Sequence, residues 1–369
     1  MKKHDILISA LFLILFAGFA SAINCGDTIA EDITLTEDLL NCPEDGIIIG
    51  ANDITLDCDN HLITGSGENH GIYLGYRDRV TIKNCKVQNF NIGIYLLRSS
   101  ENTVSDNELK SNAYSGISVR QNSDNNIISG NNLINNSFNG IIVVHTSNNN
   151  VLSENTANKN GHGISVIYYS YNNTLSRNTL NKNSCGIILD HEAESNVVSE
   201  NTANNNRHCG ILIVSSFSNV LTDNTLNNNG DNNRGEGVYF YRSFSNILSD
   251  NVINNNLQGI KLLTFSNNNT FTGNTIKNNN NQGAHINNSQ NNLFYANTFR
   301  NNNVNAYETT DSVSNIWNLS EQGNCWSDFR ENPGFPDYYD ISGPGDGIDW
   351  WPCGKNNVDV LPVENVELN

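Results

Sequence analysis

From residue 71 onward, a glycine followed by apolar residues at its first and third successors recurs at Gly71, Gly93, Gly116, Gly140, Gly163, Gly186, Gly210, Gly237, Gly259 and Gly283. Successive spacings are 22, 23, 24, 23, 23, 24, 27, 22 and 24 residues. Two more apolar columns keep step with it. One runs from Val104, Ile128 and Leu152 to Phe271 and Phe294, and the other from Leu109, Leu133 and Ala157 to Ile276 and Phe299. Polar positions are equally regular. One asparagine column runs from Asn102, Asn126 and Asn150 to Asn292 and Asn315, and a second from Asn107, Asn131 and Asn155 to Asn274 and Asn297. The unit is roughly G-I-x-L-(x)n-N-x-V-x-x-N-x-L-x-x-N. A fixed period of this size marks a stacked repeat. Disordered asparagine tracts have no reason to alternate with apolar residues at constant offset, so low-complexity disorder is excluded.

Each unit offers short runs of period two, such as Gly116-Ile117-Ser118-Val119, and no helical pattern of ten residues. The L-x-x-L-x-L-x-x-N order of leucine-rich repeats is absent, and the spacings are not multiples of six. The expected fold is all-β: a single-stranded right-handed parallel β-helix of about eleven coils, stacked roughly 4.8 Å apart. In line, each asparagine amide donates to one neighbouring coil and accepts from the other, a ladder that satisfies polar groups at the turns. The predicted organisation is a signal peptide over 1–22, an N-terminal cap over 23–45, the β-helix over 46–314, an aromatic C-terminal cap over 315–353 and a flexible tail over 354–369. Asp231 to Arg234 fall in the one overlong coil and are expected to protrude.

The opening Met1-Lys2-Lys3, the apolar run from Ile6 to Phe19 and Ala20-Ser21-Ala22 read as a secretory signal with its cleavage site. No other apolar stretch is long enough to span a membrane. Secretion or display at the cell surface follows, whether extracellular or periplasmic. Cleavage removes two positive charges and one negative, taking the formal net charge of −18 to −19. Such acidity disfavours nucleic acid and anionic membranes as partners. Five N-x-S/T sequons, at Asn135, Asn172, Asn268, Asn287 and Asn318, are glycosylation acceptors where the host has the machinery.

Eight cysteines in an exported chain imply disulfides. Cys185 and Cys209 directly precede repeat glycines in adjacent coils, so stacking brings their Cα atoms about 5 Å apart, within disulfide range. Cys58 and Cys85 occupy near-equivalent places in neighbouring coils. Cys25 pairs with Cys42 at the entry and Cys325 with Cys353 at the exit. Without C-x-x-C spacing, a metal cluster is the poorer reading.

Chemistry, if present, belongs on the outer face of the glycine-led strands. Residues two after the glycine read Tyr73, Tyr95, Ser118, Ile142, Ser165, Ile188, Leu212, Tyr239, Lys261 and His285, and those four after it include Arg120, Val144, Asp190 and Tyr241. These columns hold one carboxylate, Asp190. That is too few for a Ca²⁺ cage or for a paired glycosidic acid and base. The best catalytic cluster is Asp190, His191 and Glu192, with His145 two coils before and Tyr168 one coil before. His and Tyr would act as base and acid in proton abstraction beside a uronate carboxyl group, which Arg98 or Arg120 would neutralise. Tyr73, Tyr95, Arg98, Arg120, Tyr169, Tyr239, Tyr241 and Arg242 form an aromatic and cationic strip suited to sugar rings or to a protein partner at the surface.

The repeat over about 46–310 resembles the secreted right-handed β-helix superfamily of pectin-lyase type, whose members bind or process carbohydrate. The ending Gly323-Asn324-Cys325-Trp326-Ser327-Asp328-Phe329 and then Gly345-Asp346-Gly347-Ile348 is similar to the N-Y-W-S-D-Y…D-G-D-G-I terminus of NosD-like β-helix proteins, a type common among archaeal surface proteins. That resemblance implies periplasmic copper delivery to nitrous oxide reductase. Here Cys325 stands in place of Tyr, the acidic run is thinned to Gly343-Pro344-Gly345-Asp346-Gly347, and the chain has one Met and no His-rich tract. Neither Ca²⁺ nor copper is supported by these residues, and no cofactor is predicted. Asp190-His191-Glu192 is similar to the Asp-Pro-His-Glu of mannuronan epimerases, without the Pro. Together these features point to a carbohydrate-binding or structural β-helix protein acting on a polysaccharide or cell-surface glycan, with a uronate lyase or epimerase as the alternative and copper maturation as the second.

Overall fold

A computed structural model describes residues 23–231, 235–345 and 347–353. The expected signal peptide, the tip of the overlong coil at 232–234, Asp346 and the expected tail lie outside the described residues. The chain winds as a right-handed parallel β-helix with three walls. The first wall is a sheet of thirteen parallel strands, from Asp27–Ile29 to Val304–Glu308. The second has twelve, from Ile33–Thr34 to Leu293–Tyr295. The third comprises a six-stranded and a five-stranded section joined by single bridges along Thr156, Thr179, Thr202 and Thr225. No described helix is long and apolar enough to cross a membrane.

The coil number is nearer thirteen than eleven. The extra turns lack the full Gly-Ile-x-Leu signature. Asp27–Ile29 and Ile47–Ile49 open the first wall and Val304–Glu308 closes it. The segment 23–45 is thus the first coil itself, its three strands pairing with those of the second.

Inside, like stacks on like. Ile94, Ile117, Ile141, Ile164, Ile187 and Ile211 follow one another in register, all fully buried. A Cβ on Gly186 would stand 2.6 Å from the Ala203 Cβ and 2.7 Å from the Gly210 carbonyl, so this column has no room for a side chain. Asparagine ladders run up the corners as expected. Asn178 Nδ2 donates to Asn201 Oδ1 at 2.9 Å, and Asn201 Nδ2 to Asn224 Oδ1 at 3.0 Å. Each amide also binds backbone: Asn201 Nδ2 donates to the Leu175 carbonyl at 2.8 Å, and its Oδ1 accepts from the Asn178 amide at 2.9 Å. A third ladder runs from Asn112 through Asn136, Asn160 and Asn183 to Asn302, and serines from Ser99 to Ser289 occupy a further corner column, broken only by Ala193.

The aromatics after Asn315 close the C-terminal end. Phe294 stacks on Trp317 at 4.2 Å, Phe299 on Trp326 at 4.5 Å, and Trp326 on Tyr339 at 4.1 Å. Their polar ends are paired: Trp317 Nε1 donates to Glu308 at 2.8 Å, and Trp326 Nε1 to the buried Asp349 at 2.9 Å. Four disulfides join Cys25 to Cys42, Cys58 to Cys85, Cys185 to Cys209 and Cys325 to Cys353, with Cα separations of 5.3, 4.7, 4.7 and 4.8 Å.

Candidate functional site

The first wall has the longest strands, six residues in most coils, and its outer face carries the side chains that differ from coil to coil. Two groups stand out, one at each edge of this sheet.

At the C-terminal edge, every strand from His70–Gly75 to Gln282–Asn287 is followed by one or two residues in the left-handed conformation. His145, Tyr168 and His191 take this place in successive coils, with φ of 57°, 51° and 50°. The turn recurs at Arg98, Arg242 and Thr264, so it belongs to the architecture and does not itself mark a site. Three rings meet there at a tilt, His145 and Tyr168 at 5.3 Å and 43°, Tyr168 and His191 at 4.4 Å and 37°. His191 Nδ1 lies 2.8 Å from Asp190. Burial pushes the Asp190 carboxyl up, and His191 opposes it. The structure therefore assembles His145, Tyr168, Asp190 and His191. It does so on an exposed ridge: the His191 side chain is 54% accessible, and Tyr169 and Glu192 are exposed beside it.

At the N-terminal edge lies a cleft of about 660 Å³. Its floor is the Cys185–Cys209 disulfide, and His162, His208, Glu236, Tyr239 and Lys261 line it. Lys261 Nζ lies 3.0 Å from the Glu236 carboxylate and 5.4 Å over the Tyr239 ring. His162 Nδ1 is buried with no hydrogen-bond partner, and burial, then the neighbouring His208, holds its imidazole below the ordinary range. Next along, Gln258 Nε2 is 3.0 Å from His285 Nδ1.

Of the aromatic and cationic strip, Tyr73 and Tyr95 join in the N-terminal coils, 5.8 Å apart, with His70 stacked on Tyr95 at 4.7 Å and 9°. Arg120 sits over Tyr95 and Tyr114 at 6.0 and 5.2 Å, and Arg98 donates to Tyr76 at 3.0 Å. Arg242 lies 5.2 Å over Tyr241. Between these groups the strip closes, because Ile142 and Val144 are 2% and 3% exposed. Sequence reasoning passed over His162, His208 and Glu236. His162 and Glu236 stand just before the repeat glycine, a position that reads His70, Ser115, Asn139, Cys185, Cys209 and Gln258 in other coils, and His208 stands one residue earlier.

With this geometry in hand, two family models match the chain. One, described as periplasmic copper-binding protein (NosD), covers residues 139–331, and the right handed beta helix region covers 45–193. The chain belongs to the NosD family. Among solved structures, this NosD-family chain is similar to a variant of the periplasmic alginate epimerase AlgG, with 16% identity over 68% of this chain and 73% of that one and a TM-score of 0.55. It is also similar to a tailspike protein of E. coli bacteriophage HK620, with 12% identity over 81% of this chain and 60% of that one and a TM-score of 0.55. At such identities the likeness shows the fold. None of the curated proteins matches the sequence.

The family's description names copper, so the donor set matters. All eight cysteines are in disulfides, the chain's one methionine is Met1, and among the described residues no three His, Cys, Asp or Glu side chains converge. In this oxidised state the residues do not fit a soft copper site.

Proposed function

We propose that this is an exported carbohydrate-binding protein that holds a glycan along the outer face of its first wall. The observation carrying this reading is that aromatic rings on that face lie beside cations at Tyr95, Tyr239 and Tyr241. Tyr95 lies between His70 and Arg120, and Tyr239 beneath Lys261. Ring faces suit the apolar faces of sugars, and neighbouring guanidinium or ammonium groups suit acidic substituents. Consecutive coils repeat at about 4.8 Å, so a chain along the rod meets one platform at Tyr73 and Tyr95 and a second at Tyr239 and Tyr241. Four disulfides fit an oxidising compartment.

The test is a glycan array followed by titration of the strongest hit against wild type and Tyr95→Ala. Acidic polysaccharide binding that weakens roughly tenfold in the variant, about 1.4 kcal/mol, supports the reading. No binding to any glycan, or binding indifferent to Tyr95 and to Lys261→Ala, overturns it.

The clustered His145, Tyr168 and His191 beside Asp190 favour a second reading, a uronate lyase or epimerase. A neutral imidazole as base and a phenol as acid meet its chemical needs. It requires product release, unsaturated or epimerised, that disappears in His191→Ala. Turnover undiminished in that variant removes the ridge from any mechanism.

A further inference from the structure

The second wall presents a pattern that glycan binding on the first leaves unused. Its three-residue strands from Thr103–Ser105 to Thr270–Thr272 pair in register over eight coils without a bulge. The middle residue of each strand is fully buried, so the first and third point outward. The first positions run from Thr103, Ile127 and Val151 to Ile247 and Thr270, and every one is Thr, Val or Ile. The third positions run from Ser105 and Ser129 to Ser249 and Thr272, and every one is Ser or Thr. None of these sixteen residues is charged, in a chain of formal net charge −18. Strand propensity favours β-branched residues, but it asks for no hydroxyl column and forbids no charge. The other walls show as much: the first carries Arg120, Asp190 and Lys261 at outward positions, and the third Lys86 and Glu108. On the second wall, charge returns only past the corner, at residues such as Glu154 and Arg177.

We propose that this face of the second wall, from Thr103 to Thr272, binds the surface of ice. It is a grid of methyls and hydroxyls, about 4.8 Å from rung to rung and roughly 6.6 Å along each strand. Asparagine ladders flank it on both sides: Asn126 donates to Asn150 at 3.0 Å before the strands, and Asn131 to Asn155 at 3.0 Å after them. Side-chain ladders of this kind keep a many-stranded sheet flat. The β-branched side chains are stiff at χ1, so their methyls are held in place before any ligand arrives. They are also accessible, Ile127 to 46% and Ile247 to 42%. Oxygen rows in ice repeat at nearly the rung spacing. Methyls of successive coils therefore settle into hollows of the lattice, while the hydroxyls donate to and accept from its oxygens. One rung contributes little. Against liquid water, which keeps no such rows, the rungs do not add up, and against an ordered solid all eight do. Ice is neutral, as the face is. Two other occupants fit worse. A crystalline glycan stacks on ring faces, and none of the sixteen residues is aromatic. A stable protein interface takes about 800 Å² per partner around an apolar centre, whereas this strip is two side chains wide and half hydroxyl.

The experiment grows ice slowly in a solution of the full chain and measures how the protein divides between ice and liquid. Nanolitre osmometry on the same samples reads the gap between melting and freezing points. Wild type is compared with Val197→Lys, at the middle of the grid, and with Thr202→Lys, which puts the same charge outward on the third wall. Circular dichroism checks the strand signal, and Ser199→Lys on the same rung replaces Val197→Lys if that variant loses it. Wild type is expected to enrich in the ice and to hold a freezing gap. Val197→Lys should lose both, because a long cation lifts its own rung and both neighbours off the lattice, and Thr202→Lys should keep both. Wild type that is excluded from ice and shows no gap overturns the proposal. So does a Val197→Lys chain that behaves as wild type, or a loss that appears in Thr202→Lys instead. No sugar is present and the first wall is unchanged in every variant, so failure here leaves the glycan reading standing, and the reverse also holds.

Discussion

The inside and the outside of the first wall are built on the same strands and obey opposite rules. Inward positions repeat almost unchanged, isoleucine on isoleucine from Ile94 to Ile211. Outward positions change with every coil: Tyr95, Ser118, Ile142, Ser165, Ile188, Leu212, Tyr239, Lys261. Identity inside is imposed by stacking. A coil contacts mainly its neighbours, so each interior side chain must fit the copy above and the copy below. Outside, no such constraint operates, and variation is where chemistry can reside. The comparison teaches where to look, and it predicts that equal-sized changes on the two sides will differ sharply in cost.

The sharpest break would come at the ladder. In Asn201→Leu, the Asn178 amide loses its acceptor and the Leu175 carbonyl its side-chain donor, while Asn178 Nδ2 keeps the Leu152 carbonyl and Asn224 Oδ1 keeps the Asn201 backbone amide. Asn201 is 1% exposed, so water does not replace these partners readily. Each orphaned buried group costs about 1–3 kcal/mol, so the expected loss is at least about 2 kcal/mol. Urea unfolding followed by circular dichroism and by tryptophan fluorescence measures it. Coincident transitions are needed, since long repeat arrays can lose two-state behaviour. A shift of under about 1 kcal/mol would mean that the ladder is decoration and that the apolar columns alone hold the coils.

How much of this was legible follows from the same physics. The period, the inward columns, the asparagine ladders and the Cys185–Cys209 pairing all depend on one residue stacking on its equivalent, and a period is visible in a sequence. The end coils were under-counted because Asp27–Ile29 and Val304–Glu308 stack without the full glycine signature. The outer face was only partly legible. Its columns two and four after the glycine follow from strand alternation, which places Asp190 beside Ile167 and Tyr239 beside Lys261. The residue before the glycine lies at the corner, where alternation breaks: in register, the strands skip from His162↔Cys185 to Ile164↔Ile187. His162 and Glu236 therefore reach the cleft from a position that simple period two does not read. Nor does periodicity say that Ile142 and Val144 are buried while the ridge beside them is open.

On the outer face, Tyr95→Ala tests the other half of the comparison. Its ring touches His70 and Tyr73 and carries Arg120 above it. An aromatic pair of this kind is worth about 0.5–1.5 kcal/mol beyond area, so the expected destabilisation is near 1 kcal/mol. That is several times less than a buried aromatic truncation such as Phe294→Ala, for which about 3–5 kcal/mol is usual. Thermal unfolding of the two variants side by side gives the ratio. Equal losses would mean that the Tyr95 platform is structural and not held ready for a ligand.

The smallest effect should even carry the opposite sign. Asp190 is half-buried on the outer face, and burial raises its carboxyl above the ordinary 3.8, only partly countered by His191. A group whose folded pKa is raised binds its proton more tightly in the folded chain. Its stabilising contribution is complete below about 3.8, where both states are protonated, and is lost as pH rises through the folded value. Above that range the carboxyl therefore works against folding, and Asp190→Asn should raise the urea midpoint slightly at neutral pH. Below pH 3.8 that advantage should vanish, so the difference between variant and wild type should grow with pH and then level off. A difference independent of pH would show that the carboxyl is as well hydrated as any surface acid. A variant less stable at neutral pH would show that the 2.8 Å contact with His191 outweighs the burial. In that second case the ridge would have a structural reason to exist, and its cluster of rings would lose its claim as a site built for chemistry.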